Sequence, residues 1–247
     1  AGTSQLYEIF LSMVKQNEYE AFLDSLVYNA KYYVQIIKPS RDDYDNKKQY
    51  YWLVQSFKVL TDFFSIAQVR VVLMAILWAK DEDIISMKDF KRAVLFLENF
   101  HFAYTAVMSG KTNKLDGIYS RTAIKLRKCT TKNQSKTVLE TYLYNSLKSL
   151  IPTEEQFTEK FVELCYSKKS TPLNLKCKYA LLKLNCYYQD KELFEDDSSI
   201  EHIIPESEGQ DVNNIGNLIM LEGNLNVEAD NKNYLDKIPI YKKSNYA

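Results

Sequence analysis

Ile200-Glu201-His202-Ile203-Ile204-Pro205, and after a polar interval Ile215-Gly216-Asn217-Leu218-Ile219-Met220-Leu221, decide how the end of this chain folds. Ile200, Ile203 and Ile204 read as one strand and Leu218-Ile219-Met220-Leu221 as a second. The interval from Gly209 to Asn214 is rich in turn-forming residues and reads as a loop. A short helix follows, starting at Gly223 or Asn224. Strand, loop, strand, helix is a compact unit in which the first strand and the closing helix can share residues of one site.

Working back from that unit, residues 5–190 carry the three-to-four spacing of helices. Leu6, Ile9, Phe10, Met13 and Val14 form one apolar stripe, Phe22, Leu26 and Val27 another, and Trp52, Phe57, Leu60, Phe63 and Phe64 a third. Ser86, with Asp89 three residues on, is an N-cap signal for a helix running toward Met108 through Phe90, Val94, Leu95, Leu97 and Phe100. Further helices are expected near 135–150, 153–167 and 173–188, the second capped by Thr153. The polar, acidic stretch from Tyr188 to Ser199 separates the two patterns. The expected fold is therefore mainly α: a multi-helix domain over 1–195, followed by a small ββα unit over 196–247.

Composition narrows the function. Hydrophobic residues make up 46% and charged residues 26%, an ordinary soluble balance, and 6 Gly and 5 Pro against 19 Tyr and 12 Phe argue for packed helices rather than disorder. Net charge is zero, so any nucleic-acid surface has to be local. One basic stretch stands out, with eight Lys and Arg between Lys111 and Lys136 against the single acid Asp116. Within it Arg121, Lys125 and Lys128 fall on one helical face and are the candidates for a phosphate-backbone clamp. A solvated helix face explains the same stretch about as well. Between Glu192 and Asp211 the balance reverses, to eight acids and no Lys or Arg.

Cys129, Cys165, Cys177 and Cys186 show no CxxC pair and no zinc spacing, which suits reduced thiols in a cytoplasmic protein. Val71 to Ala79 is too short an apolar run to cross a bilayer, and no signal peptide is visible. The opening Ala1-Gly2-Thr3-Ser4, without Met, reads as a tag scar or a cut point, which leaves open a longer parent protein.

Glu201 beside His202, Asn217 fifteen residues on and Asn226 nine further are residue types suited to phosphodiester hydrolysis. That reaction needs an activated water and stabilisation of charge on the phosphate and leaving oxygen. Histidine supplies a general base near neutrality. Glu201 and Asn226 offer oxygen ligands suited to one Mg²⁺ or Mn²⁺. Adjacent strand residues point to opposite faces, so Glu201 and His202 need a bend to converge.

The order and spacing resemble the HNH (ββα-metal, or His-Me finger) nuclease motif. More particularly, they resemble the C-terminal half of GmrSD-type modification-dependent restriction nucleases, loosely over the helices and specifically over 200–244. The HNH unit of RNA-guided CRISPR effector nucleases is similar in its spacing. The resemblance implies that His202 is the catalytic base, that Glu201 and Asn226 hold the metal, and that Asn217 pins the loop between the strands. It continues through Asn231, Lys237, Tyr241 and Ser244, and Lys237 is read as a further nucleic-acid contact. Glu201 replaces the Asp more usual in the wider superfamily. The resemblance further implies anti-phage restriction of foreign or modified DNA, and an N-terminal ParB-like nucleotide-hydrolysing domain as a partner that this chain lacks.

Bland readings compete. His101, inside an apolar helical stretch, is expected to be structural. Asn213, Asn214 and Asn224 read as turn residues, with Asn224 a rival to Asn226 as ligand, and Glu206, Glu208 and Asp211 as solubility charges. The leading expectation is a divalent-metal-dependent DNA endonuclease, in which His202→Ala removes an exposed base and spares the fold. Its rivals are a catalytically inactive DNA- or protein-binding module and a structural helical adaptor. One such site cuts one strand at a time, which leaves a homodimer open, and RNA stays open as a substrate.

Overall fold

The structure, a computed structural model, describes residues 3–172, 174–193, 198–209 and 211–246, without the side chains of Thr3, Ser4 and Leu6. Leu6 of the first apolar stripe, the acids Glu195, Asp196 and Asp197, and the boundary expected near 195 lie outside what is described. The helical body contains α1 (Thr3–Met13), α2 (Tyr19–Ile37), α3 (Tyr51–Lys58), α4 (Arg70–Asp81) and α5 (Met87–His101). It continues with α6 (Asp116–Leu126), α7 (Lys132–Val138), α8 (Asn145–Lys148), α9 (Glu154–Phe161) and α10 (Leu175–Tyr188). Helices α3, α5 and α7 each widen at their ends into π-helical turns.

The expected caps are present. The Ser86 hydroxyl accepts from the Asp89 N–H at 3.1 Å, and Thr153 forms a capping box with Gln156. Apolar spacing located α3 and α5 correctly, with Phe57, Leu60, Phe90, Val94 and Leu97 in the core. On α1 and α2 it located the helices but not their packing: Ile9, Met13, Leu26 and Val27 face solvent, and α2 buries only Tyr32 and Ile36. The spacing of apolar residues shows which of them share a face, not whether a partner covers it.

Strands β1 (Ser198–His202) and β2 (Leu218–Glu222) pair antiparallel, with Glu201 opposite Ile219 and His202 opposite Leu218. Beyond them come α11 (Gly223–Ala229) and α12 (Tyr234–Tyr241). Both faces of the two-stranded sheet are covered. Ile200, Leu218 and Met220 join the core of the helical body, where α10 packs against β2. Leu221, on the other face, packs with Leu225, Ala229 and Ile240 of α11 and α12. The sheet is thus a middle layer, and the alternation of strand side chains feeds two cores at once.

Helix α9 stops at Phe161 instead of running on to 167. The chain leaves the helix to bond the C-terminal unit: Tyr166 N–H donates to Asn213 O and Ile215 N–H to Leu164 O, both at 2.8 Å. No helix among the described residues is long and apolar enough to cross a membrane. The four cysteines are unpaired, with Cys129, Cys177 and Cys186 buried and Cys165 exposed. Burial pushes the Cys177 thiol up to about 12, which keeps it protonated and unreactive.

Candidate active site

A cleft of about 560 Å³ opens where β1 ends, and His202, Glu201, Asn226, Lys168, Glu206 and Lys237 all line it. His202 is the last residue of β1 and, contrary to the sequence expectation of an exposed base, is only 3% exposed. Its Nε2 lies 2.9 Å from the carbonyl oxygen of Tyr166, and the Tyr166 ring stacks beside the imidazole, 27° from parallel with centroids 6.0 Å apart. A carbonyl oxygen can only accept, so Nε2 carries the hydrogen. In the neutral ring the lone pair therefore sits on Nδ1, which has no protein partner among the described residues. His202 lines the cleft, and in this tautomer Nδ1 is the nitrogen able to take up a proton.

Glu201 is on the opposite face of β1, toward α11 and α12. The residue is 2% exposed, and Lys237 Nζ donates to Oε1 at 2.7 Å. The same ammonium donates to the backbone carbonyl of His202, also at 2.7 Å, and Tyr241 Oη reaches Glu201 Oε1 at 3.5 Å. Lys237 is fully buried. The structure therefore corrects its reading as a nucleic-acid contact: its charge is engaged by Glu201, and its role is to fix two adjacent residues of β1. Glu201 and His202 do point to opposite faces, and both reach the cleft because it lies across the strand end, where the chain bends at Ile203 and Ile204.

Asn226, on α11, is 6% exposed. Its Nδ2 donates to Ser199 Oγ at 2.8 Å and to Ile200 O at 2.9 Å, which turns Oδ1 outward to accept from Lys168 Nζ at 3.0 Å. Asn224 lies on the exposed side of α11.

Glu201 and Asn226 are a carboxylate and an oriented amide oxygen on one cleft, a hard donor pair that suits Mg²⁺ or Mn²⁺ with water completing the shell. The amide oxygen accepts from the Lys168 ammonium and the carboxylate from Lys237. Among the described residues no three His, Cys, Asp or Glu side chains group together. An ion here would rest on one carboxylate, one amide and solvent.

Asn217 does not line the cleft. Its side chain accepts from Ile204 N–H at 2.9 Å and donates to the carbonyls of Ile204 at 2.9 Å and Val212 at 2.7 Å. It pins both sides of the loop between the strands, so it positions rather than catalyses. Asn214 is a turn residue as expected, accepting from Gly216 N–H at 2.9 Å. Glu206 is more than a solubility charge. Burial raises its carboxyl, but the Ser167 hydroxyl, the Lys168 N–H and the nearby His202 outweigh that and hold it below the ordinary carboxylate range.

The basic stretch lies elsewhere. Arg121, Lys125 and Lys128 are exposed on α6 and the turn after it, but none lines the cleft, whose basic residues are Lys168, Lys169 and Lys237. Arg127 turns inward over the Trp78 ring at 4.6 Å, and Lys132 pairs with Asp83 at 2.7 Å. Sequence reasoning missed Tyr166, Ser167 and Lys168, which come from the segment between α9 and α10. Its one available signal was the Lys168-Lys169 pair in a gap between helices. His101 is structural as expected, buried between Thr105 Oγ1 at 3.0 Å and Tyr119 Oη at 2.8 Å.

A helical body carrying a strand–loop–strand–helix unit, with a base-competent histidine beside a carboxylate and an amide, defines a candidate hydrolytic site. Residues 151–247 match the family model of the C-terminal domain of GmrSD restriction endonucleases. No curated protein matches the chain. The family match begins at 151, so it takes in α9, α10 and the Tyr166–Lys168 segment that completes the cleft.

Proposed function

We propose that this chain is a divalent-metal-dependent endonuclease module of the HNH type, hydrolysing phosphodiester bonds of DNA in the restriction of foreign or modified DNA. The observation that carries the reading is the bond from His202 Nε2 to the Tyr166 carbonyl, which leaves Nδ1 as the basic nitrogen of a histidine that lines one cleft with Glu201 and Asn226. The match of residues 151–247 to the C-terminal domain model of GmrSD restriction endonucleases supports the substrate class.

In this mechanism His202 Nδ1 takes a proton from the attacking water, and the imidazolium that forms is stabilised by its bond to the Tyr166 carbonyl. A divalent ion on Glu201 and Asn226, when bound, supplies Lewis-acid stabilisation of charge on the phosphate and the leaving oxygen. Lys237 keeps Glu201 and the His202 backbone in register. Asn217 holds the loop so that Pro205 and Glu206 stay at the cleft edge. Arg121, Lys125 and Lys128 are proposed as a distant contact to the duplex backbone, and contribute no group to the reaction.

The test is plasmid nicking with Mg²⁺ or Mn²⁺, beside EDTA and a His202→Gln chain. Glutamine keeps a donor for the Tyr166 carbonyl and has no base, so it avoids the cavity that alanine would leave at a buried position. Nicking that needs the metal and is lost in His202→Gln is the expected result. Duplex binding without nicking, on both plain and modified DNA, would instead favour the binding-module reading.

A further inference from the structure

Helix α2 carries two apolar faces, and only one of them is covered. Tyr32 and Ile36 are its buried residues, and α2 packs on α4. Its polar tethers lie on that side: Tyr28 Oη donates to Glu82 Oε1 at 2.9 Å and Tyr32 Oη to Asp81 Oδ2 at 3.2 Å. On the far side Leu23, Val27, Ala30, Val34 and Ile37 form a second row. Leu23 is 59% exposed, Val27 74% and Val34 49%, and Ala30 is exposed between them. Steps of four, three, four and three are the pattern of a helix that meets another helix along its length. Scattered exposed apolar residues are ordinary; a continuous row of this spacing marks an interaction surface.

Charge on the edge of the row says what covers it. Asp24, Lys31 and Lys38 each follow a member of the row and recur at seven. From Gln16 to Ala30 there is no Lys or Arg, and from Ser25 to Arg41 no Asp or Glu. The helix dipole favours acids first and bases last, but it does not gather them on one edge. Two copies of α2 laid in opposite directions set Leu23 of each against Val34 of the other, and Val27 against Ala30. The same register brings Leu26, 52% exposed, against Tyr33, 40% exposed, on one edge, and Asp24 against Lys31 on the other. Lys31 bonds Asp81 at 3.2 Å, but both side chains are well exposed, so this is a weak tether. Laid in the same direction, two copies would put acidic end beside acidic end.

We infer that the uncovered face of α2 is an interface between two copies of this chain, packed antiparallel about a two-fold axis that passes between Val27 and Ala30. A two-fold contact has to be self-complementary, and these pairs are. One helix per copy makes a small interface, so the dimer is weak and depends on concentration. It places two clefts on one particle, and it stands whatever chemistry the cleft performs.

The experiment is sedimentation equilibrium of the unaltered chain, Val27→Glu, Asp24→Lys, and the double exchange Asp24→Lys with Lys31→Glu. All three positions are exposed, and far-UV circular dichroism checks that each chain keeps its helix content. The unaltered chain is expected to reach twice the chain mass as its concentration rises. Val27→Glu buries an unpaired charge in the seam and is expected to raise the dimer Kd roughly tenfold or more. Asp24→Lys is expected to raise it roughly three- to tenfold, since two symmetric pairs become repulsive, and the double exchange to restore most of the loss. A chain of single mass at every concentration, or a dimer indifferent to Val27→Glu, overturns the interface. A dimer indifferent to Asp24→Lys, or not restored by the exchange, overturns the antiparallel register.

Discussion

At the scale of single residues, Lys237 shows how one buried charge can organise a site. Its ammonium serves both the Glu201 carboxylate and the His202 carbonyl, with side-chain exposures of 1% and 3% for the ion pair. Removing one partner of a buried pair leaves the other uncompensated, at about 3–5 kcal/mol. Lys237→Met is therefore expected to lower unfolding free energy by about that amount in urea titration. A loss within about 0.5 kcal/mol, the usual range for surface substitutions, would show that the pair is not structurally important.

His101 makes a second residue-scale prediction, about pH. Burial pushes its pKa from 6.5 down to about 3, so the folded chain keeps it neutral. The unfolded chain takes up that proton as pH falls through about 6.5, which favours unfolding. The stability tied to His101 is thus whole above about pH 6.5 and drains away as the pH drops toward 3. Urea midpoints are expected to fall between about pH 6.5 and pH 4, and less steeply in His101→Gln, which does not titrate. Equal slopes for the two chains would remove His101 from the explanation.

At the scale of elements, α6 and its following turn present Arg121, Lys125 and Lys128 to solvent, away from the cleft. If they clamp a duplex backbone, replacing all three with alanine should weaken binding evenly across sequences. It should also flatten the slope of log K against log salt by about 2.7, at about 0.9 per phosphate contact. An unchanged slope would return them to the status of a solvated face. The elements themselves were largely legible. The Ser86 and Thr153 caps, the two strands and the start of α11 at Gly223 all follow from local chemistry. The end of α9 was not, because residues 162–166 obey a bond to Asn213 and Ile215 some fifty positions away, which no local pattern records.

At the scale of the whole molecule, the sheet lies between two cores, and the family match begins at 151 rather than at 196. A fragment of 196–247 alone would lose the burial of Ile200, Leu218 and Met220 against the helical body, at about 1.5–3 kcal/mol each. It would also lose the carbonyl that sets the His202 tautomer. Such a fragment is expected to show no cooperative unfolding by circular dichroism, whereas the full chain melts as a unit because its main core is continuous across both parts. A sharp transition in the fragment would restore an independent unit beginning at 196.

The sequence by itself determined the helical class, the capped helix starts at Ser86 and Thr153 and the strand–loop–strand–helix order, and it proposed Glu201, His202, Asn217 and Asn226 as candidates, because capping, periodicity and motif spacing are local properties. Tertiary structure alone decided that His202 is buried and which nitrogen keeps its proton, that Lys237 faces inward, that Asn217 pins a loop, and that Lys168 stands on Asn226. Apart from the Asn217 loop, these depend on partners 35 or more positions apart, such as Tyr166 with His202 and Lys168 with Asn226. The charge on a lysine reads the same in a sequence whether it meets solvent or a buried carboxylate; only the packing around it settles which.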